Sequence, residues 1–187
     1  MISIVIPCFN AAATLRSTIE SALGQDEVCE VIVVDDGSTD ASPGVILEFA
    51  GRISAVRTEN RGVSAARNLG TSMAVGEFIQ YLDSDDVLAA GTLAQRRTAL
   101  DRTGADVAVT DWQEFTTAPD GSAEPGKIVR PDVEALNKDA EIATATSAFW
   151  APPAALLYRA SMVKLADGWP EHMRVVEDAR FLFEVAR

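Results

Sequence analysis

The most constraining feature of this chain is how regularly short apolar runs alternate with helical patterns over its first 110 or so residues. Ser3–Ile6, Glu30–Val34, Ile53–Arg57, Glu77–Leu82 and Val107–Thr110 read as strands. Between them, Thr14–Leu23, Ser42–Ala50, Gly62–Met73 and Gly91–Leu100 read as helices. Leu15, Ile19, Ala22 and Leu23 fall on one face of the first helix, and Gly24 stops it. The second strand is apolar on both faces, as a strand inside a covered parallel sheet must be. Strands and helices alternating at this length imply βαβ units and a mostly parallel sheet.

The pattern breaks after Trp112. Thr116–Lys127 carries Pro, Asp, Gly and Ser and reads as a surface hairpin or loop. Residues 128–150 have little periodicity, Ala154–Tyr158 suits a further strand, and Val175–Arg187 suits a helix. There are no internal repeats.

A length of 187 residues, 48% of them hydrophobic, is enough to bury a proper core. Only 6% are aromatic, so the core is expected to rest on Ala, Val, Ile and Leu. The net charge of −12 argues against nucleic acid or an anionic membrane surface as the main partner. It leaves room for a phosphate-bearing ligand, because a divalent cation supplies positive charge locally. The two cysteines, Cys8 and Cys29, form neither a metal-ligand spacing nor a disulfide framework and are expected to be reduced. No signal peptide and no bilayer-spanning run is read. The expected setting is cytoplasmic, with any membrane association supplied by further segments or partners.

In an open α/β sheet, ligands bind outside the carboxyl ends of the strands. Three of the five strand ends here are chemically distinctive: Pro7-Cys8-Phe9-Asn10, Asp35-Asp36-Gly37-Ser38-Thr39-Asp40 and Asp83-Ser84-Asp85-Asp86. Carboxylates crowded at one strand end repel each other unless a cation sits among them. Mg²⁺ and Mn²⁺ are hard ions commonly held by one or two carboxylates plus substrate phosphates. Asp83 and Asp85 therefore suit a metal bridging to a diphosphate, against the plainer reading of a solvated acidic turn. In the second cluster, Gly37 permits a tight turn. A carboxylate there can accept a bond from a ring N–H, or the segment can simply cap the next helix through Ser38, Thr39, Asp40 or Ser42. Arg67, in Asn60-Arg61-Gly62-Val63-Ser64-Ala65-Ala66-Arg67-Asn68, reads as a phosphate or base contact, or as an ordinary surface arginine.

In the last helix, Asp178, Phe181, Leu182 and Val185 share one stripe, and Glu177, Arg180, Glu184 and Arg187 share the opposite one. Glu177 is thus expected on the solvated face. Asp178, an acid on an apolar stripe, reads as a helix-dipole partner or as a base aimed into the cleft. His172, the only histidine, reads as an exposed loop residue. There is no Ser-His-Asp set, no His-Glu-x-x-His, no Gly-x-x-x-x-Gly-Lys and no Gly-x-Gly-x-x-Gly after the first strand.

Together, Ser3–Asn10, Val31–Asp40, Asn60–Gly70, Gly76–Asp86 and Val176–Asp178 resemble family 2 glycosyltransferases, and they do so over nearly the whole chain in the right order. The resemblance implies an α/β GT-A fold: a Rossmann-like, mostly parallel sheet flanked by helices, with a smaller acceptor-side extension. It implies Mn²⁺ or Mg²⁺, and inversion at the sugar carbon. Residues 1–112 would form the portion that binds the nucleotide sugar, and residues 113–187 the acceptor-side portion carrying the Glu-Asp helix. Carried over by position, Pro7 and Phe9 would pack on the base and Asp36 would bind its ring nitrogen. Asn60 and Arg67 would line the nucleotide pocket, Asp83 and Ser84 would lie beside the ribose and diphosphate, and Asp85 would hold the metal. Asp178 would be the general base. A UDP-sugar is the default donor, a glycan or lipid-linked molecule the acceptor, and polysaccharide or cell-envelope glycan synthesis the setting.

Many members of that family continue well past the Glu-Asp helix, whereas this sequence closes nine residues after Asp178. That spacing reads as a minimal or truncated domain. Two other readings fit the same fold. One is a non-catalytic module that binds nucleotide sugar, against which Asp85 and Asp178 speak. The other is a sugar nucleotidyltransferase, which normally carries a Gly-rich, Arg-containing loop where this chain has Pro7–Asn10.

Overall fold

The computed structural model of the chain describes residues 1–27, 29–117, 123–134, 149–173 and 177–186. Every strand and helix expected before Trp112 is present, with ends moved by a few residues. They are β1 (Ile2–Cys8), α1 (Leu15–Leu23), β2 (Cys29–Asp35), α2 (Ser42–Glu48), β3 (Ser54–Arg57), α3 (Val63–Met73), β4 (Phe78–Tyr81), α4 (Thr92–Thr103) and β5 (Val107–Val109). Gly24 ends α1, its N–H bonding the Glu20 carbonyl at 2.9 Å. The 116–127 region is a hairpin of β6 (Trp112–Thr117) and β7 (Ala123–Val129). Most of the weakly periodic 128–150 stretch lies outside the described residues.

The main sheet has the order β3-β2-β1-β4-β8-β5, where β8 is Leu156–Arg159. β1 pairs in parallel with β2 and β4, and β2 with β3. β8 runs antiparallel between β4 and β5. A strand from the second half of the chain therefore completes the sheet begun by the first half.

The central strands of the sheet are buried on both faces, the edge strand β3 is largely exposed, and β1 shows how the burial is built. Its even positions Ile2, Ile4, Ile6 and Cys8 enter an aliphatic core with Leu15 and Ile19 of α1, Phe49 after α2, and Leu93 and Leu100 of α4. Val5 points to the other face, with Ile79 and Tyr81. That alternation is the period-2 geometry of a strand. On this second face α3 lies so close that Gly70 faces the Val5 Cγ1 methyl directly, and a Cβ at Gly70 would overlap it.

The expectation of an aliphatic core holds on the first face and fails on the second. There Tyr81, Tyr158, Trp169 and Phe181 gather. Trp169 and Phe181 stack at 4.1 Å with 13° between their planes, and Tyr81 meets Trp169 edge-on at 4.9 Å. Overall composition cannot reveal this, because a small number of rings collected in one place still makes a core. Each such pair contributes about 0.5–1.5 kcal/mol beyond the area it buries.

Two short elements escape sequence periodicity: a 3₁₀ turn (Pro153–Ala155) and α5 (Ala160–Leu165). Neither is long enough to display a period. The last helix, α6 (Glu177–Ala186), buries Phe181, Leu182 and Val185, the apolar stripe read from spacing. Cys8 and Cys29 are free thiols. They sit at opposite ends of the β1–β2 ladder, which opposes Ile2 to Cys29 and Cys8 to Asp35. Six residues of strand separate them by about 20 Å, far beyond disulfide reach. Among the described residues no helix is long and apolar enough to cross a membrane.

Candidate active site

The carboxyl ends of β1, β2 and β4 meet the start of α3 at a cleft of about 530 Å³. Pro7 and Phe9 come from β1 and its exit, Asp36 from the end of β2, and Asn60 and Arg67 from the α3 region. Asp83, Ser84 and Asp85 follow β4. The structure thus brings eight of the nine residues singled out from sequence to one place. The parallel register is what does it, because it puts the ends of adjacent strands side by side.

Backbone bonding locks these loops. Asn10 adopts a left-handed φ of 51°, tolerable for Asn, and its side-chain oxygen accepts the Thr39 N–H at 2.8 Å. Ser38 and Ser42 hydroxyls accept the Asn10 and Ala11 N–H groups. Asp40 accepts the Ser42 N–H at 2.9 Å from just ahead of the helix, but the cap position itself is Ala41 and carries no side-chain cap, unlike the capping read from sequence. Gly37 turns with φ 79°, and a Cβ there would lie 2.8 Å from the Asn60 nitrogen. That close approach lets Asp36 reach α3. Asp36, 3% exposed, accepts the Arg61 N–H at 2.9 Å on one oxygen and the Gly62 N–H at 2.8 Å on the other. The oxygen facing Arg61 also takes the Thr58 hydroxyl at 3.4 Å, and the one facing Gly62 keeps a lone pair for a further donor. Phe9, by contrast, is 49% exposed, an aromatic face presented at the cleft.

The acidic turn is anchored from α1's side. Thr14 Oγ1 donates to the Ser84 carbonyl at 2.8 Å, and the Leu88 N–H donates to Ser21 Oγ at 3.1 Å. Asp83 is committed to a salt bridge, its Oδ1 2.6 Å from Arg67 Nη2. Arg67 is buried and lies 4.2 Å over the Trp169 ring. Its Nε and Nη1 have no hydrogen-bond partner among the described residues. The plain reading of Arg67 as a surface arginine is therefore excluded. Asp85 is exposed and projects from the turn. Burial, with the charges of Asp83 and Asp85 added, pushes the Asp86 carboxyl up to about 6.

A divalent cation fits this donor set. Burial first, and the charges of Asp83 and Asp85 second, raise the proton affinity of Asp86, so three carboxylates share one turn with Arg67 paired to Asp83. Among the described residues no three His, Cys, Asp or Glu side chains converge as a closed cage.

The last helix corrects one expectation. Glu177 is not on a solvated face: its side chain is 17% exposed, it lines the cleft, and it stands 3.7 Å from Arg67 Nη1. Helical spacing set it opposite the apolar stripe, but the helix enters at an angle that turns its first residue toward α3. Arg180 and Glu184 do form the expected ion pair further along, and Arg187 lies outside the described residues. Asp178 does not line the same cleft. Its Oδ2 accepts the Trp150 indole N–H at 3.1 Å and its Oδ1 accepts the Ala179 N–H at 2.8 Å. Trp150 lines a second cleft, of about 470 Å³, that shares Asp85 with the first. Glu177 and Trp150 are the site residues that sequence reasoning missed. Trp150 carried one signal, a large aromatic in a segment with no periodic face to bury it. His172 is exposed, as expected.

The family model "Glycosyl transferase family 2" matches residues 3–158. The succinoglycan biosynthesis protein ExoU of Rhizobium meliloti is 38% identical over 133 residues, covering 69% of this chain and 38% of its own length. The putative glycosyltransferase EpsH of Bacillus subtilis is 38% identical over 107 residues, 54% of this chain and 31% of its own. The chain thus spans about a third of the length of these relatives. Among solved structures, S. aureus TarS 1-349 superposes with a TM-score of 0.75 at 25% identity, covering 99% of this chain and 55% of that one. A mannosyltransferase from Pyrobaculum calidifontis, in complex with GDP-Man and Mn²⁺, superposes with a TM-score of 0.68 at 20% identity, covering 99% and 51%. The sheet order, the strand-end cleft and a family match over most of the chain agree, and the chain belongs to glycosyl transferase family 2, with the GT-A fold.

Proposed function

We propose that this chain forms the catalytic part of an inverting glycosyltransferase that takes its sugar from a nucleotide-sugar donor, by default a UDP-sugar. The observation that carries this reading is the meeting of eight residues from three strand ends and the α3 region in one cleft, with Asp85 on the ridge between that cleft and the one at Trp150. Phe9 offers a ring face for the base beside Pro7, and Asp36 keeps acceptor capacity for a ring N–H. Arg67 holds two N–H groups in reserve for anionic oxygen. Asn60, Asp83 and Ser84 complete the wall along the ribose and diphosphate. Solved TarS in complex with UDP and with UDP-GlcNAc supports a uridine donor by likeness of fold.

When bound at Asp85 and the donor's phosphates, Mn²⁺ or Mg²⁺ supplies Lewis-acid neutralisation of the leaving group's charge. Asp178 acts on the other side of Asp85. It takes the proton of the acceptor hydroxyl, and that oxygen bonds to the anomeric carbon from the face opposite the diphosphate. The old bond's electron pair leaves with the diphosphate, so the configuration inverts. Trp150 holds Asp178 Oδ2, leaving Oδ1 beside the helix start. Polysaccharide or cell-envelope glycan synthesis is the setting, supported by relatives that include the succinoglycan protein ExoU and a minor teichoic acid biosynthesis protein, GgaA.

The test is ligand-linked stability. UDP at about 100 times its dissociation constant should add about 2.7 kcal/mol to the unfolding free energy in the presence of Mn²⁺ or Mg²⁺. In excess chelator, or in Asp85→Ala with metal, that gain should largely vanish while the ligand-free protein unfolds normally. Equal stabilisation with chelator would remove the cation from the reading.

A further inference from the structure

The second cleft has no assigned ligand, and its chemistry is unlike that of the first. Trp112 of β6 and Trp150 meet edge to face, their centroids 6.0 Å apart. Trp150 remains 46% exposed and Phe115 37% exposed, large apolar area to leave in water. The rim is rich in hydrogen-bond acceptors: the carboxylates of Asp85, Asp86 and Glu114 and the amide of Gln113. No Lys or Arg lines it among the described residues. An exposed aromatic floor under a rim of acceptors suits a ring that has an apolar C–H face and an equatorial edge of hydroxyl donors. Asp86 and Glu114, which the reading above leaves without a cation, weigh against phosphate and carboxylate ligands. The volume, about 470 Å³, is that of a small-ligand site.

Position adds to chemistry. Asp85 borders this cleft and the donor cleft alike, and Trp150 Nε1 donates to Asp178 at the cleft's edge. Resting on the donor reading above, we infer that Trp112 and Trp150 form the platform on which the acceptor stacks, and that the acceptor is an uncharged pyranose rather than a polyol phosphate. Trp150 then has two tasks, its ring face under the sugar and its N–H on the base. A hydroxyl of the stacked ring is the one Asp178 deprotonates.

The experiment is saturation-transfer NMR on the chain saturated with UDP and Mg²⁺. The probes are the methyl glycosides of glucose, galactose, mannose and N-acetylglucosamine, with glycerol 3-phosphate as the charged alternative. At least one pyranoside should receive saturation, strongest on one C–H face. In Trp112→Ala and Trp150→Ala its binding should weaken about three- to tenfold. Trp150→Phe keeps a ring and should retain most of the binding. UDP affinity should stay within about twofold in all three variants, which also shows that they fold. Absence of any pyranoside signal, survival of the signal in both alanine variants, or tryptophan-dependent binding of glycerol 3-phosphate alone would each overturn the inference. If instead the wild-type protein fails to bind UDP with Mg²⁺, the donor reading falls and saccharide binding is judged by itself.

Discussion

The two clefts on either side of Asp85 are built in different ways. The donor-side cleft is made of strand ends and the start of α3, and is fastened by polar side chains that bond backbone groups of neighbouring loops. Asp36 grips two N–H groups at the start of α3, Asn10 bridges to the loop after β2, and Thr14 pins the Ser84 carbonyl. The Trp150 cleft is made of side chains from β6, the acidic turn after β4 and the loop at Trp150, and its link to Asp178 runs through one indole N–H. Each of the donor-side bonds joins one side chain to a backbone group of a neighbouring loop, so the geometry of that cleft rests on a few polar side chains. A site made by side chains from separate segments can be lost one residue at a time, and can also be remodelled one residue at a time. For a transferase that division is useful: the donor's nucleotide is a constant part of the chemistry, whereas acceptors differ.

The largest effect that would sharpen this contrast is Asp178→Asn. The change keeps size and shape but cannot accept the proton. Transfer to an acceptor should fall about 10²–10⁴-fold, the usual contribution of a positioned base. UDP affinity measured on the same protein should not move. A parallel loss of UDP binding would merge the two clefts into one site.

Next in size is Trp169→Ala. Trp169 is 2% exposed, stacks on Phe181 and carries the Arg67 guanidinium over its own ring. Truncation should lower the unfolding free energy by about 3–5 kcal/mol. It should also loosen α6, which an increase in amide exchange across Phe181–Val185 would register. Global destabilisation with α6 exchange unchanged relative to β1 would mean that α6 is held some other way.

Asp83→Asn tests the fastening of the donor side. Arg67 is buried and would lose its 2.6 Å ionic partner. Denaturant unfolding without ligand should show a loss of about 1–3 kcal/mol. A stability equal to wild type would mean that Trp169 and Glu177 alone suffice to hold the guanidinium.

The smallest effect expected is that of Glu177→Gln. Glu177 adds negative charge beside the donor cleft and stands near an Arg67 nitrogen that a phosphate would use. Its neutralisation should tighten UDP binding about two- to tenfold, a Coulomb effect softened by solvent. Titration calorimetry giving an unchanged affinity would return Glu177 to the solvated role that helical spacing assigns it.

Of two adjacent residues at the start of α6, Glu177 lines the first cleft and Asp178 holds the Trp150 indole of the second, and this is where reading the sequence and seeing the structure part. Periodicity found the apolar stripe of α6 correctly, because Phe181, Leu182 and Val185 are placed by the helix's own geometry. It misplaced Glu177, because which way a helix's first turn faces depends on the angle at which it docks, and that is set by the Trp169–Phe181 stack and the ends of other elements. The donor cleft was legible for the opposite reason. A parallel sheet with right-handed connections leaves little freedom in where strand ends go, so chemistry read at the ends of β1, β2 and β4 must converge.

What the amino-acid sequence determined alone is therefore the alternating α/β architecture, the parallel pairing of its first four strands as a class, and the residues of the donor-side wall. These follow from local periodicity and from chain connectivity, both of which act between near neighbours. Tertiary structure decided the rest: β8 inserting antiparallel between β4 and β5, the aromatics collecting on one face only, and Trp150 standing over Asp178. Trp112, Trp150 and Asp178 are brought together only by docking of separate segments against the finished sheet. No spacing along the chain encodes such a meeting, because side-chain contacts across long loops depend on packing in three dimensions.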